Sequence, residues 1–116
     1  MKVYLAGPMR GIPHFNFPAF TKAAAELRSM GHEVFNPAER DNERYGADIS
    51  ADNPDGSEKR AEFLYGFSLR EALAADMQYI CNHAEAIALL PGWESSKGAL
   101  AELATARALT LVEIYL

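Results

Sequence analysis

The chain's 116 residues, 49% hydrophobic and 23% charged, suit one ordinary globular domain that needs no disulfide or metal to fold. A formal net charge of −5 argues against a long nucleic acid as partner, although backbone N–H groups can still hold a small anion. The single cysteine, Cys81, excludes an internal disulfide framework, and no stretch approaches membrane-spanning length, so the expectation is a cytoplasmic chain without a membrane partner.

Lys2 to Ala6 is a short apolar run closed by Gly7-Pro8 and reads as a buried strand. Asn16 or Phe17 then caps a helix with Pro18 in its first turn. Phe20, Ala23, Ala24, Leu27 and Met30 recur at helical spacing, and Gly31 supplies the stop. Glu33 to Asn36 reads as a second strand, ended by Pro37. Residues 38–66 are polar and carry the turn signal Asp52-Asn53-Pro54-Asp55-Gly56, so they read as a long loop. This insertion (39–66) is a candidate lid, with a short helix around Glu58 to Tyr65.

Ser68-Leu69-Arg70-Glu71 matches a capping box and opens a helix to about Asn82. Ala86 to Leu90 is a buried strand, Pro91 to Lys97 a loop, Gly98 to Ala108 a helix and Thr110 to Leu116 a last strand. Strands alternating with helices predict one α/β domain over residues 1–116, a Rossmann-like or flavodoxin-like three-layer sandwich with a small parallel sheet. The last strand is expected at an edge, where a second copy of the chain can pair to give a homodimer or a higher homo-oligomer.

In such sheets ligands bind beyond the carboxyl ends of the strands. Gly7-Pro8-Met9-Arg10-Gly11 follows the first strand. It reads either as an anion-facing loop or as a tight turn with a surface arginine. Asp76 falls on the stripe Leu69, Leu73, Ile80, where a carboxylate is costly unless paired or facing a cavity. Glu102 has small neighbours at helical spacing, which leave room for a ligand or equally for close packing. Ser95 or Ser96 is the expected N-cap of that helix, whose N-terminus beside Lys97 is a natural phosphate site. Trp93 either stacks on a base or covers apolar surface. His14, His32 and His83 are scattered, so no metal set is expected.

Taken together, Tyr4-Leu5-Ala6-Gly7-Pro8-Met9-Arg10-Gly11, Asp76 and Gly98-x-x-x-Glu102-Leu103 resemble the nucleoside 2-deoxyribosyltransferase superfamily over most of the chain outside residues 38–66. The resemblance is strongest to the branch that hydrolyses 2′-deoxynucleoside 5′-phosphates and to short bacterial and phage relatives. It implies Glu102 as nucleophile, Asp76 as the carboxylate that contacts base or sugar and assists proton transfer, and Tyr4 as a site-lining tyrosine. It implies that the loop Gly7 to Gly11, with Arg10, wraps the ligand. It also puts Ser96, six residues before Glu102, where phosphate-using members carry a phosphate-binding serine. Free-nucleoside transferases tend to have aspartate there, which would repel a phosphate.

The expected partner is therefore a small nucleotide or nucleoside, with no cofactor. The expected reaction is N-glycosidic cleavage of a nucleoside 5′-monophosphate, 2′-deoxy by preference, with water as acceptor. Transfer to a second base, action on ribonucleotides, and a non-catalytic nucleotide-binding module are the alternatives. Two features depart from the family pattern: Ala104 where glycine often follows Glu-Leu, and the polar insertion itself.

Overall fold

The structure, a computed structural model, describes residues 1–116. Four strands form one parallel sheet: β1 (Lys2–Ala6), β2 (Glu33–Phe35), β3 (Ala86–Leu89) and β4 (Val112–Tyr115), in the order β2-β1-β3-β4. Val3 pairs with Val34 on one side of β1 and with Ala86 on the other. The chain thus leaves β1 toward one edge and later returns to its other side, which makes the gap between β1 and β3 the switch point of the sheet.

Period-two alternation divides the core into two layers. Val3, Leu5, Ala86 and Ala88 face α1 (Phe17–Ser29), which buries Phe17, Phe20, Ala23, Ala24 and Leu27 against them. Tyr4, Ala6, Ile87 and Leu89 face the opposite way, onto Ile80 of α4 (Leu69–Asn82) and Ala99, Leu103 and Ala106 of α5 (Lys97–Ala108). The result is a Rossmann-like or flavodoxin-like three-layer sandwich.

The polar stretch after β2 is not one long loop: α2 (Pro37–Tyr45) replaces the start of the expected loop, and α3 (Glu58–Tyr65) lies where a short helix is expected. Asn36 does not extend the strand. Its side chain accepts from the Ala38 N–H as the cap of α2, with Pro37 at the first helical position, where its missing N–H costs nothing. Of the capping box at Ser68 only half forms. The Ser68 hydroxyl accepts from the Glu71 N–H, while the Ser68 N–H donates to the Tyr45 hydroxyl. The apolar stripe of α4 is also shifted from the expected one: Ala72, Asp76 and Ile80 are buried, whereas Leu69 lies at the surface. Likewise Met30 falls beyond α1 and is exposed.

Asn16 occupies the cap position of α1 in a left-handed conformation and makes no capping bond there; its side chain donates to the Pro8 carbonyl. It ends a run of three left-handed residues, His14, Phe15 and Asn16 (φ 53°, 54° and 61°). Such backbone is costly outside glycine and persists only where neighbours over-determine it. The neighbours are the connection between α2 and α3. The His14 N–H donates to Asn53 O, the Gly11 N–H to Gly56 O, and the His14 ring bonds to Ser50 O. Strand β4 is short and partly exposed at one edge, bounded by Val112 and Tyr115 within the expected 110–116.

Candidate functional site

Beyond the carboxyl ends of β1 and β3 lies a cavity of about 420 Å³, within the range of small-molecule sites. Its entry loop starts at Gly7, which passes so close to Leu90 that a Cβ would lie 2.7 Å from the Leu90 Cβ. Phe15, Phe17 and Phe20 form an apolar wall from the α1 side. Tyr4, Asp76 and Glu102 line it from the other layer.

Glu102 projects from α5 and is only 6% exposed. The Tyr4 hydroxyl donates to its Oε2 at 2.6 Å, a short hydrogen bond. Burial, and then the neighbouring Asp76 charge, push the Glu102 carboxyl up to about 8, against the Tyr4 bond that pulls it down. Burial also raises Asp76 to about 6, and the Tyr4 phenol lies well above its ordinary value, chiefly because it is buried. Two carboxyl groups and a phenol thus share one buried wall of the cavity, and the carboxyl pair holds a proton through neutral pH. Asp76 Oδ1 is buried and makes no hydrogen bond.

A third carboxylate, Asp41 of α2, also lines the cavity. Burial, followed by the Asp76 charge, raises it to about 7, and the Arg44 guanidinium 3.3 Å from its Oδ1 opposes that rise. At the other end of the cavity stand Arg10 and the N-terminus of α5. There the Ser96 hydroxyl accepts from the Ala99 N–H as the helix cap, beside Lys97 and Gly98. Arg10 is half-exposed and pairs with Glu58 of α3 at 3.2 Å, which ties the entry loop to the segment after β2.

The chain belongs to the family described as "Domain of unknown function (DUF4406)", whose model matches residues 1–115. No curated protein and no solved structure matches it. The match spans the whole sandwich, including α2 and α3, so the segment 38–66 lies inside the DUF4406 domain.

Most of the residues singled out from the DUF4406 chain's sequence meet at this cavity: Tyr4, Gly7, Pro8, Met9, Arg10, Asp76, Ser96, Gly98 and Glu102 all line it. Two do not. Gly11 (φ 77°) turns away and donates its N–H to Gly56 O. Trp93 packs beside Tyr115, ring centroids 6.0 Å apart, and against the α4–α5 core, so it covers apolar surface. Sequence reading missed Asp41 and the aromatic wall. The signal for Asp41 was Asn36-Pro37 with Glu39 in the first turn, a helix start whose inward positions include Ala38 and Asp41.

Proposed function

We propose that the protein cleaves the N-glycosidic bond of a nucleoside 5′-monophosphate, 2′-deoxy by preference, through a covalent intermediate on Glu102. The observation that carries this reading is the buried Glu102 carboxyl. It takes a 2.6 Å hydrogen bond from Tyr4 and sits beside Asp76 in one cavity with the N-terminus of α5. The resemblance to nucleoside 2-deoxyribosyltransferases supplies the reaction class.

Asp76 and Glu102 share one proton at neutral pH. The Tyr4 hydroxyl stabilises negative charge on Glu102, and positive charge developing at C1′ stabilises it further. The proton therefore resides on Asp76 in the transition state, where it can reach the base. A Glu102 oxygen forms a bond to C1′ as the C1′–N bond breaks, and the electron pair and the Asp76 proton leave with the base. Water then attacks C1′ and gives its proton to Asp76. The ester opens, releasing the sugar phosphate and regenerating Glu102. The phosphate is held by the Ser96 hydroxyl and the free N–H groups of the α5 N-terminus, with Lys97 and Arg10 adding charge.

The test is base release, followed by chromatography, from each common ribo- and deoxyribonucleoside 5′-monophosphate, with Glu102→Ala alongside. Release by the parent protein and none by the variant supports the reading. No release from any substrate, with or without an added acceptor base, overturns it.

A further inference from the structure

The cavity is chemically two-ended. Ser96 opens α5 and Glu102 lies six residues on, about 9 Å along the helix at 1.5 Å per residue. Donors cluster at the Ser96 end, where Lys97 and Arg10 add positive charge. The opposite end carries acceptors. Asp76 is 9% exposed and its buried Oδ1 has no hydrogen-bond partner. Asp41, 5% exposed, lines the same cavity and is close enough for the Asp76 charge to act on it. Arg44 engages Asp41 through Oδ1 alone.

A buried carboxylate oxygen without a donor is a standing cost, relieved when a ligand N–H meets it. Asp76 presents such an oxygen, and Asp41, which lines the same cavity, leaves its Oδ2 unengaged by Arg44. A base bearing an exocyclic amino group brings N–H donors to them. Once Asp41 is ionised, above its value of about 7, a base with a carbonyl at the same place sets oxygen against oxygen and leaves the carboxylate unpaired; below that value the Asp41 O–H can donate to the carbonyl.

We propose that Asp41 reads the base of the ligand: together with Asp76 it forms an acceptor edge for an exocyclic amino group, and so selects cytosine- or adenine-type nucleotides over uracil- or hypoxanthine-type ones. The inference rests on the nucleotide reading above and gives a role to α2, which the superfamily resemblance leaves without one. Polar groups left unpaired in a buried site discriminate strongly, so the amino member of each pair binds at least about tenfold more tightly. Asp41 is a specificity-determining residue here, separate from the bond-breaking pair.

The experiment is titration calorimetry at pH 8, above the Asp41 value of about 7, with dCMP against dUMP and dAMP against dIMP, and with the ribonucleotide counterparts. It is run on Glu102→Gln, so that ligand is not consumed, and on Glu102→Gln combined with Asp41→Asn. The asparagine keeps an acceptor for Arg44 and can turn its amide N–H toward a carbonyl, and a thermal melt verifies that each variant is folded. An amino preference of about tenfold that falls below about threefold, or reverses, in the Asp41→Asn background supports the assignment. Equal binding of amino and oxo partners, or a preference that survives Asp41→Asn, overturns the role of Asp41 and leaves the nucleotide reading standing. No binding of any member of any pair overturns the nucleotide reading, and this inference with it.

Discussion

Replacing Glu102 by glutamine is expected to stabilise the protein, by an amount that depends on pH. The folded chain holds the Glu102 proton up to about 8, whereas an unfolded chain loses it near 4.5. A raised carboxyl pKa means that the wild type loses stability as pH rises from the unfolded value to the folded one. At about 1.4 kcal/mol per pH unit of separation, the ionisable carboxyl costs roughly 3 kcal/mol at pH 7 and under about 1 kcal/mol at pH 5. Glutamine has no proton to lose and still accepts from the Tyr4 hydroxyl in place of Glu102 Oε2. Glu102→Gln should therefore melt roughly 10 °C above the wild type at pH 7 and within about 3 °C of it at pH 5. Thermal denaturation followed by circular dichroism across pH 5 to 8 measures this directly. Asp41 is raised in the same sense and remains in the variant, whereas Asp76 titrates as a pair with Glu102, so the difference between the two proteins reports that pair. A gain that is equal at pH 5 and pH 7, or absent at both, would refute the account of a carboxyl buried at a cost.

Tyr4→Phe removes the one hydrogen bond that lowers the Glu102 pKa, so the acid limb of the base-release profile should move to higher pH and the rate fall roughly ten- to hundredfold; an unshifted limb would deny Tyr4 that role. Gly56 has φ +64° and its Cβ would lie 2.1 Å from the Ile12 carbonyl oxygen. Gly56→Ala should therefore destabilise by at least about 2 kcal/mol in urea unfolding, and a change within 0.5 kcal/mol, itself about the scatter of surface substitutions, would mean that the contact is not held in solution. Ser96→Asp keeps a good N-cap, so stability should change by less than about 0.5 kcal/mol. Its charge should nonetheless weaken nucleoside 5′-monophosphate binding at least about tenfold while leaving free nucleosides nearly unaffected. Equal losses for both ligands would remove the phosphate from this helix end.

What could be read from the sequence, and what could not, follows from how each feature is encoded. Asp76 was readable from its helical spacing to Leu73 and Ile80, although the stripe that is buried is Ala72, Asp76 and Ile80. The small neighbours of Glu102 left close packing equally open, and it was singled out by Gly98-x-x-x-Glu102-Leu103 read together with the Tyr4–Gly11 run and Asp76. Asp41 was obscured because α2 is overwhelmingly polar, with only Pro37, Ala38 and Asp41 buried, so no apolar stripe announced it. The left-handed run His14-Phe15-Asn16 was beyond local reading altogether. Asn16 tolerates that conformation, but nothing in Pro-His-Phe suggests it, and the residues that hold it in place lie near Ser50 and Asn53.

The same distinction explains why residues 38–66 looked like an insertion. Few of their side chains are large and apolar, and their structural work is done by backbone and polar groups aimed at the entry loop. The Gly56 and Asn53 carbonyls receive the Gly11 and His14 N–H groups, and Glu58 pairs with Arg10. Ile49, Asn53 and Ala61 are nevertheless as buried as the sheet's own core. A segment that fixes the loop between β1 and α1, supplies Asp41 to the cavity and anchors α4 through Tyr45 is part of the scaffold of the site. Loosening it should therefore act on ligand binding through the position of Arg10 and the aromatic wall.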